Sequence, residues 1–143
     1  MAIAQAMCTS FKVALLNGEM DFSSDTSQTF KIALYTSSAD LSASTTVYST
    51  TNEASGTGYT AGGSTLTIAT NPTSSSTTAY LDFSDITWSS SSITARGALI
   101  YKSGGTDPAI AVLDFGADKS SSNSTFKVAF PAASDTTAII RIA

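Results

Sequence analysis

ITARGALIY, residues 93–101, is the stretch that decides the fold class. Odd positions carry Ile93, Leu99 and Tyr101, whereas Arg96 falls on an even position. Successive side chains of a strand point to opposite faces of a sheet, so this period of two predicts a β-strand. Towards its end the stretch is apolar at even positions as well, which is typical of burial on both faces. We therefore predict that this segment is the longest strand and lies centrally in its sheet.

Shorter runs with the same period lie on both sides of this stretch. They are Phe30 to Leu34, Leu66 to Ile68, Leu81 to Phe83, Ile86 to Trp88, Ile110 to Phe115, Phe126 to Phe130 and Ala138 to Ile142, with a weaker run at Thr46 to Ser49. Segments such as Asn71 to Ser76 and Ser103 to Pro108 have the composition of turns and separate the runs. The sequence thus predicts an all-β fold of about eight strands. An antiparallel β-sandwich of jelly-roll type is favoured over a closed barrel.

One short helix is predicted near the N-terminus. Thr9 or Ser10 is suited to cap it, and Asn17-Gly18 is a typical stop. Its short apolar face is formed by Phe11, Val13, Ala14, Leu15 and Leu16. An isolated helix of about two turns has only marginal stability in water. We therefore expect this helix to pack against the sheet or against a neighbouring subunit.

The length of the chain indicates one domain. In a chain of 143 residues, a second hydrophobic core would leave both halves only marginally stable. We therefore predict a single β-sandwich domain over residues 1–143. Residues 1–20 are expected to form an N-terminal arm and the short helix. The N-terminus lacks the basic start and the apolar run of a signal peptide, and no stretch approaches ~20 apolar residues. We expect synthesis in the cytoplasm without a signal peptide, and no membrane partner.

Charge and residue types narrow the classes of function. The net charge is −4, and the seven basic residues are scattered along the chain, which argues against nucleic acid as a partner. The chain has no histidine and one cysteine, Cys8, so the usual zinc sites, a Ser-His-Asp triad and an internal disulfide are excluded. We expect no cofactor, no metal site and no enzymatic activity.

Two patterns invite a chemical interpretation. The glycine-rich segment Gly56 to Gly63 has the spacing G-x-G-x-x-x-G without a following helix, so a dinucleotide site is disfavoured. A long flexible connection, or a sheet-covering flap anchored by Tyr59, needs only the backbone freedom of glycine. Aspartates such as Asp82 and Asp114 would serve a depolymerase-like enzyme only as a close pair, and calcium binding has no EF-hand spacing to support it. Solvent-facing or turn aspartates are favoured.

Two further side chains receive structural interpretations. Trp88 is expected in the core or at a sheet edge rather than as a platform for a ligand. Arg96 is expected to face solvent, and it becomes a natural contact if that face is buried between subunits.

Five segments together resemble small virion proteins of tailed phages. They are TFKIALYT (29–36), GTGYTAGG (56–63), ITARGALIY (93–101), AVLDFG (111–116) and AIIRI (138–142). The likeness covers nearly the whole chain and looks closest to the capsid cement, or decoration, proteins of podovirus-like particles.

This resemblance implies a protein of the virion, on the exterior of the capsid. Such a protein would bind the major capsid protein and stabilise the head without catalysis. It would also bind copies of itself, most simply as a homodimer at a two-fold position. A tail or tail-fibre component that takes part in host attachment is the alternative.

Partner contacts are expected in two parts of the chain that combine apolar or aromatic residues with mobility. These are the N-terminal segment from Met1 to Leu16 and the loop from Gly56 to Gly63. The individual candidates are Phe11, Leu15, Tyr59 and Arg96.

Overall fold

A computed structural model describes residues 2–143 of the chain, which form ten β-strands and one α-helix. In chain order the elements are β1 (Ala6–Met7), α1 (Thr9–Leu16), β2 (Thr29–Tyr35), β3 (Ser64–Thr65), β4 (Ile68–Ser75), β5 (Thr78–Phe83), β6 (Ile86–Ser91), β7 (Thr94–Ser103), β8 (Ala109–Ser120), β9 (Ser124–Val128) and β10 (Ile140–Ile142). The paired strands are antiparallel. The predicted all-β sandwich with one short helix is confirmed. The strand number exceeds the expected eight, partly because β1 and β3, of two residues each, are too short to show a period.

Strand β7 lies in the middle of a five-stranded sheet with the order β1-β8-β7-β2-β3. Ile100 pairs with Ile32 of β2 on one side and with Ala111 of β8 on the other. Leu99 and Ile100 point to opposite faces, and both are 0% exposed. The predicted central position is therefore confirmed. The predicted greatest length is wrong, because β8 has 12 residues against 10 in β7. The second half of β8 is polar and mostly exposed, so no alternation of apolar residues reveals its length in the sequence.

A second layer packs on one face of this sheet. It consists of a three-stranded sheet, β10-β5-β4, and a two-stranded sheet, β6-β9. Phe22 stacks on Phe30 of β2 with 4.5 Å between ring centroids, and Phe83 of β5 lies 6.4 Å from Phe30. Trp88 of β6 is 6% exposed, which confirms its expected place in the core. The contact between Phe30 and Phe83 joins the larger sheet to the three-stranded sheet.

The segment between β2 and β3 covers the other face of the large sheet. Its Tyr48 stacks on Tyr101 of β7, with 4.7 Å between ring centroids. The hydroxyl of Tyr35, on β2, donates a 2.6 Å hydrogen bond to the Ser49 carbonyl. The central strand is thus covered on both sides, as its apolar character on two faces requires.

Helix α1 occupies the predicted position, but its predicted capping is wrong. Cys8 is the N-cap residue, and it makes no side-chain capping hydrogen bond. The chain enters the helix directly from β1, and the Cys8 N–H donates to the Ile110 carbonyl at 2.9 Å. Thr9 and Ser10 are already helical, and the buried Ser10 hydroxyl has no hydrogen-bond partner within residues 2–143.

Two further predictions of local structure are also wrong. The turn expected at Asn71 to Ser76 is mostly strand, since β4 runs to Ser75. Pro72 is tolerated there because β4 is an edge strand with register shifts in its pairing to β5. The strand expected at Thr46 to Ser49 does not form, and Val47 makes only an isolated bridge.

The close packing of Gly63 against β2 gives a test of the fold. A Cβ atom at Gly63 would clash with the Ile32 carbonyl, whereas at Gly105 it would meet nothing within 4 Å. The two glycines have similar φ angles, +76° and +65°, so the intrinsic strain of alanine is matched. We expect Gly105→Ala to cost about 1 kcal/mol of unfolding free energy, and Gly63→Ala to cost clearly more. Urea denaturation measures both, and equal losses would contradict the packing of this segment on β2.

Candidate functional site

A mainly apolar groove of about 430 Å³ lies between helix α1 and the smaller sheet. We call it the α1 groove. It is lined by Phe11, Leu15, Met20, Asp21, Phe22, Pro72, Ala79, Tyr80, Leu81, Ile140 and Ile142. Phe11, Leu81 and Ile140 are buried, so part of the lining belongs to the core. The groove therefore has a rigid wall and can receive apolar side chains.

The outer side of helix α1 is apolar and exposed. Leu16 is 89% exposed and Val13 is 55% exposed, while Ile142, in the groove lining, is 49% exposed. Lys12 lies four residues before Leu16, so the two side chains share one side of the helix. We call Lys12, Val13 and Leu16 the α1 ridge, and the ridge and groove together the α1 surface. Contiguous exposed apolar side chains are typical of surfaces that bind another molecule.

Local contacts hold the short helix beside its groove. Phe11 and Ala14 are the buried residues of α1, and Phe11 meets Phe22 edge to face with 5.9 Å between centroids. Beyond the helix, the Glu19 N–H donates to the Ala14 carbonyl at 2.9 Å. The Gln28 side-chain amide donates to the Glu19 carbonyl at 3.1 Å. Burial on one side fixes the helix, and Leu16 is left on the other.

One charged group, Asp21, lines the part of the groove that the structure describes. Its carboxylate accepts hydrogen bonds from the Ser23 hydroxyl at 2.7 Å and the Ser23 N–H at 3.0 Å. These bonds lower the pKa of Asp21 below its usual range. The groove thus carries a negative charge at neutral pH, whereas the ridge carries the positive charge of Lys12.

The four residues predicted as partner contacts lie in three places. Phe11 and Leu15 line the α1 groove, although Phe11 is only 1% exposed. Tyr59 lies in the segment between β2 and β3, and Arg96 lies on β7. Arg96 is partly exposed, and its Nε atom lies 3.4 Å from the Asp114 carboxylate. Partner contact by these residues stays a prediction.

The ridge residues Lys12, Val13 and Leu16 were not among those four candidates, although they lie in the segment from Met1 to Leu16 where partner contacts were expected. Val13 and Leu16 were predicted on one apolar face with Phe11, but they are exposed whereas Phe11 is buried. The sequence does contain a signal, since apolar residues follow one another from Val13 to Leu16. A two-turn helix with apolar side chains on several sides cannot bury all of them against one sheet. Which of the apolar side chains of α1 remain exposed is visible only in the structure.

Glu53 is the centre of a second cluster, which fastens the segment between β2 and β3. Its carboxylate accepts 2.6 Å hydrogen bonds from the Tyr48 and Tyr59 hydroxyls and a 2.8 Å bond from the Gly62 N–H. The Leu34 N–H of β2 donates to the Tyr59 hydroxyl at 2.9 Å. Burial raises the pKa of Tyr59, and the hydrogen bond to Glu53 raises it further. Of the two alternatives for this segment, the structure supports the flap anchored by Tyr59.

The aspartates weighed as an acidic pair lie on different sheets. Asp82 is on β5 of the smaller sheet, where burial raises its pKa. Asp114 is on β8 of the larger sheet, where its pKa is lowered, first by the hydrogen bond from the Gly116 N–H and also by Arg96, while desolvation acts in the opposite direction. Within residues 2–143, no group of three or more acidic or cysteine side chains is placed to hold a metal ion.

Comparison with known proteins identifies no relative of this chain. No protein-family model, no curated protein and no solved structure matches this chain. In the part of the chain that the structure describes, no helix has the length and apolar character needed to cross a membrane.

The hydroxyl of Tyr59 provides a test of the Glu53 cluster. Replacing Tyr59 by Phe leaves the Leu34 N–H and one Glu53 oxygen without this partner, so we expect a loss of about 1–3 kcal/mol of unfolding free energy. Tyr80→Phe is the matched control, because the Tyr80 hydroxyl makes no hydrogen bond to any residue from 2 to 143. The control should change stability by less than about 0.5 kcal/mol. Equal effects of the two substitutions in urea denaturation would contradict an anchoring role.

Proposed function

We propose that this chain is a capsid cement protein of a tailed phage, which binds the outside of the major capsid protein shell and stabilises the head. The observation that carries the proposal is the α1 surface, with its exposed apolar ridge beside an apolar groove. The sequence likeness to small virion proteins supplies the class of partner. The protein acts by adhesion and has no catalytic step of its own.

The energetics of the α1 surface support a role in binding protein. Burial of a fully exposed leucine contributes roughly 1.5–3 kcal/mol, and Leu16 is 89% exposed. Val13 and Ile142 add further apolar area close to the same helix and groove. Fully exposed apolar side chains bring no benefit to an isolated monomer. A protein partner that covers them gains this free energy on binding.

The framework behind this surface suits an adhesive protein that must bear load. Its central strand is covered on both faces, and close-packed interiors have low compressibility. A capsid offers many equivalent sites, so that copies that contact one another and the shell act together even when each contact is modest. A small rigid domain with an apolar binding surface fits that role.

Binding to isolated heads tests the proposal. Purified chain is mixed with heads that lack it, the heads are pelleted, and bound chain is quantified together with the temperature at which the heads release DNA. We expect saturable binding and a higher release temperature. Leu16→Asp should weaken binding at least about tenfold. Leu16 is exposed in the free chain, and its burial against the shell should contribute more than about 1.4 kcal/mol to binding, which the substitution removes.

Val47→Asp is the matched control for this assay. Val47 is 42% exposed and lies outside the α1 surface, so the same change of aliphatic side chain to carboxylate should leave head binding within about twofold of the unchanged chain. Absence of binding to heads would refute the cement function. Binding to isolated tails instead would support the tail or tail-fibre alternative.

A further inference from the structure

A second groove, of about 430 Å³, lies beside strand β10 and outside the α1 surface. Ile140 and Ile142 of β10 line the α1 groove, whereas Arg141 lines the second groove, together with Ile139 just before the strand. The remaining lining includes β1 and residues 111–113 of β8. We call this recess the β10 groove. It lies between the larger sheet and the three-stranded sheet, where β1 and β10 are the end strands of their sheets.

The two edges of the three-stranded sheet differ in their protection against a further strand. β4 contains Pro72, which has no N–H to donate, and its pairing with β5 has two register shifts. Proline and irregular register both hinder the pairing of another strand with an edge. β10 contains no proline, and it pairs with β5 in continuous register from Ile140 to Ile142. An antiparallel edge strand directs the N–H and C=O of every second residue away from its neighbour, so β10 presents an open edge.

The charge of the β10 groove favours an acidic partner. Among the lining residues that the structure describes, Arg141 has the only charged side chain. It is exposed and forms no salt bridge with any residue from 2 to 143, and its Nη1 atom donates to the Asp135 carbonyl at 3.4 Å. Arg141 is the middle residue of β10, so two antiparallel copies of this strand that paired there would place their arginines side by side. A strand that carries a carboxylate is attracted instead.

Apolar side chains complete the lining of the β10 groove. Met7 and Ile139 are partly exposed, and Leu113 is 9% exposed. The side chains of an added strand alternate between its two faces, so apolar residues on one face contact this lining while the backbone pairs with β10. The site therefore fits an extended peptide, because backbone groups, apolar side chains and one carboxylate all find partners there.

We propose that the β10 groove binds an extended acidic segment of another protein, which adds a strand to the three-stranded sheet. The backbone of the segment forms hydrogen bonds with β10, and an aspartate or glutamate of the segment forms an ion pair with Arg141. The site is separate from the α1 surface, and the inference does not depend on the cement function. A chain that binds heads but no such peptide would refute this inference alone.

Fluorescence anisotropy with a labelled synthetic peptide tests the proposal. The probe has six residues that alternate valine and threonine, with the central threonine replaced by glutamate. Because a short added strand buries little surface, we expect saturable binding with a Kd on the order of 10⁻⁴ M. Arg141→Glu should weaken binding at least about tenfold at low salt, and a peptide with lysine in place of glutamate should bind this variant better than the unchanged chain. Absence of binding at millimolar peptide would overturn the proposal.

Lys119→Glu is the matched control for the charge of Arg141. Lys119 is exposed and lies outside the β10 groove, so the same reversal of charge should leave peptide binding within about twofold of the unchanged chain. Because Arg141 and Lys119 are both exposed, neither substitution should alter the circular dichroism spectrum. Equal weakening by the two substitutions would trace the attraction to net charge alone and refute the ion pair with Arg141.

A peptide that contains proline tests the added strand itself. Proline has no N–H and removes a hydrogen bond from a strand ladder. Replacing the two valines beside the glutamate by proline should therefore weaken binding at least about tenfold. Hydrogen exchange of the backbone amides from Ile140 to Ile142 should slow with the original peptide and remain unchanged with the proline peptide. Equal binding of the two peptides would overturn strand addition.

Discussion

The structure depends on the burial of β7 on both of its faces. Side chains from Ala98 to Tyr101 are at most 3% exposed, although they alternate between the two sides of the sheet. A single packed layer can cover only one side, so the chain has to supply a second cover. The smaller sheets provide one cover through Phe83, together with Phe22 from the segment between α1 and β2. The segment between β2 and β3 provides the other, through Tyr48.

The two covers are completed by different physical means. The segment between β2 and β3 has few apolar residues, and its attachment relies on hydrogen bonds that converge on Glu53 and on the stacking of tyrosine rings. The other cover is apolar and includes helix α1. A helix can bury only one side against a sheet, so anchoring through Phe11 leaves Leu16 exposed. The surface to which we assign protein binding is therefore a direct consequence of how the core is closed.

Much of the fold could be predicted from local patterns, whereas for the site the sequence indicated the segment from Met1 to Leu16 but not which of its side chains are exposed. The alternation in residues 93–101 indicates a central strand because its apolar residues occur on both faces. The boundaries of β4 could not be predicted, since Pro72 is acceptable only in an edge strand with irregular register, and the sequence does not show strand order. Tyr59 was recognisable as an anchor, but its partner Glu53 was not, because long-range pairing leaves no local signal. Likewise, the exposed side of α1 is decided by tertiary packing, and no periodicity within two turns identifies it.

A rigid sheet that is covered on both faces suits the adhesive role on a virus shell that we propose. The most direct test is a density map of the intact particle at a resolution that shows strands. We expect density for this chain on the outer surface of the head, in contact with major capsid subunits and repeated with the symmetry of the shell. Absence of the chain from the head shell, or its presence in the tail alone, would contradict it.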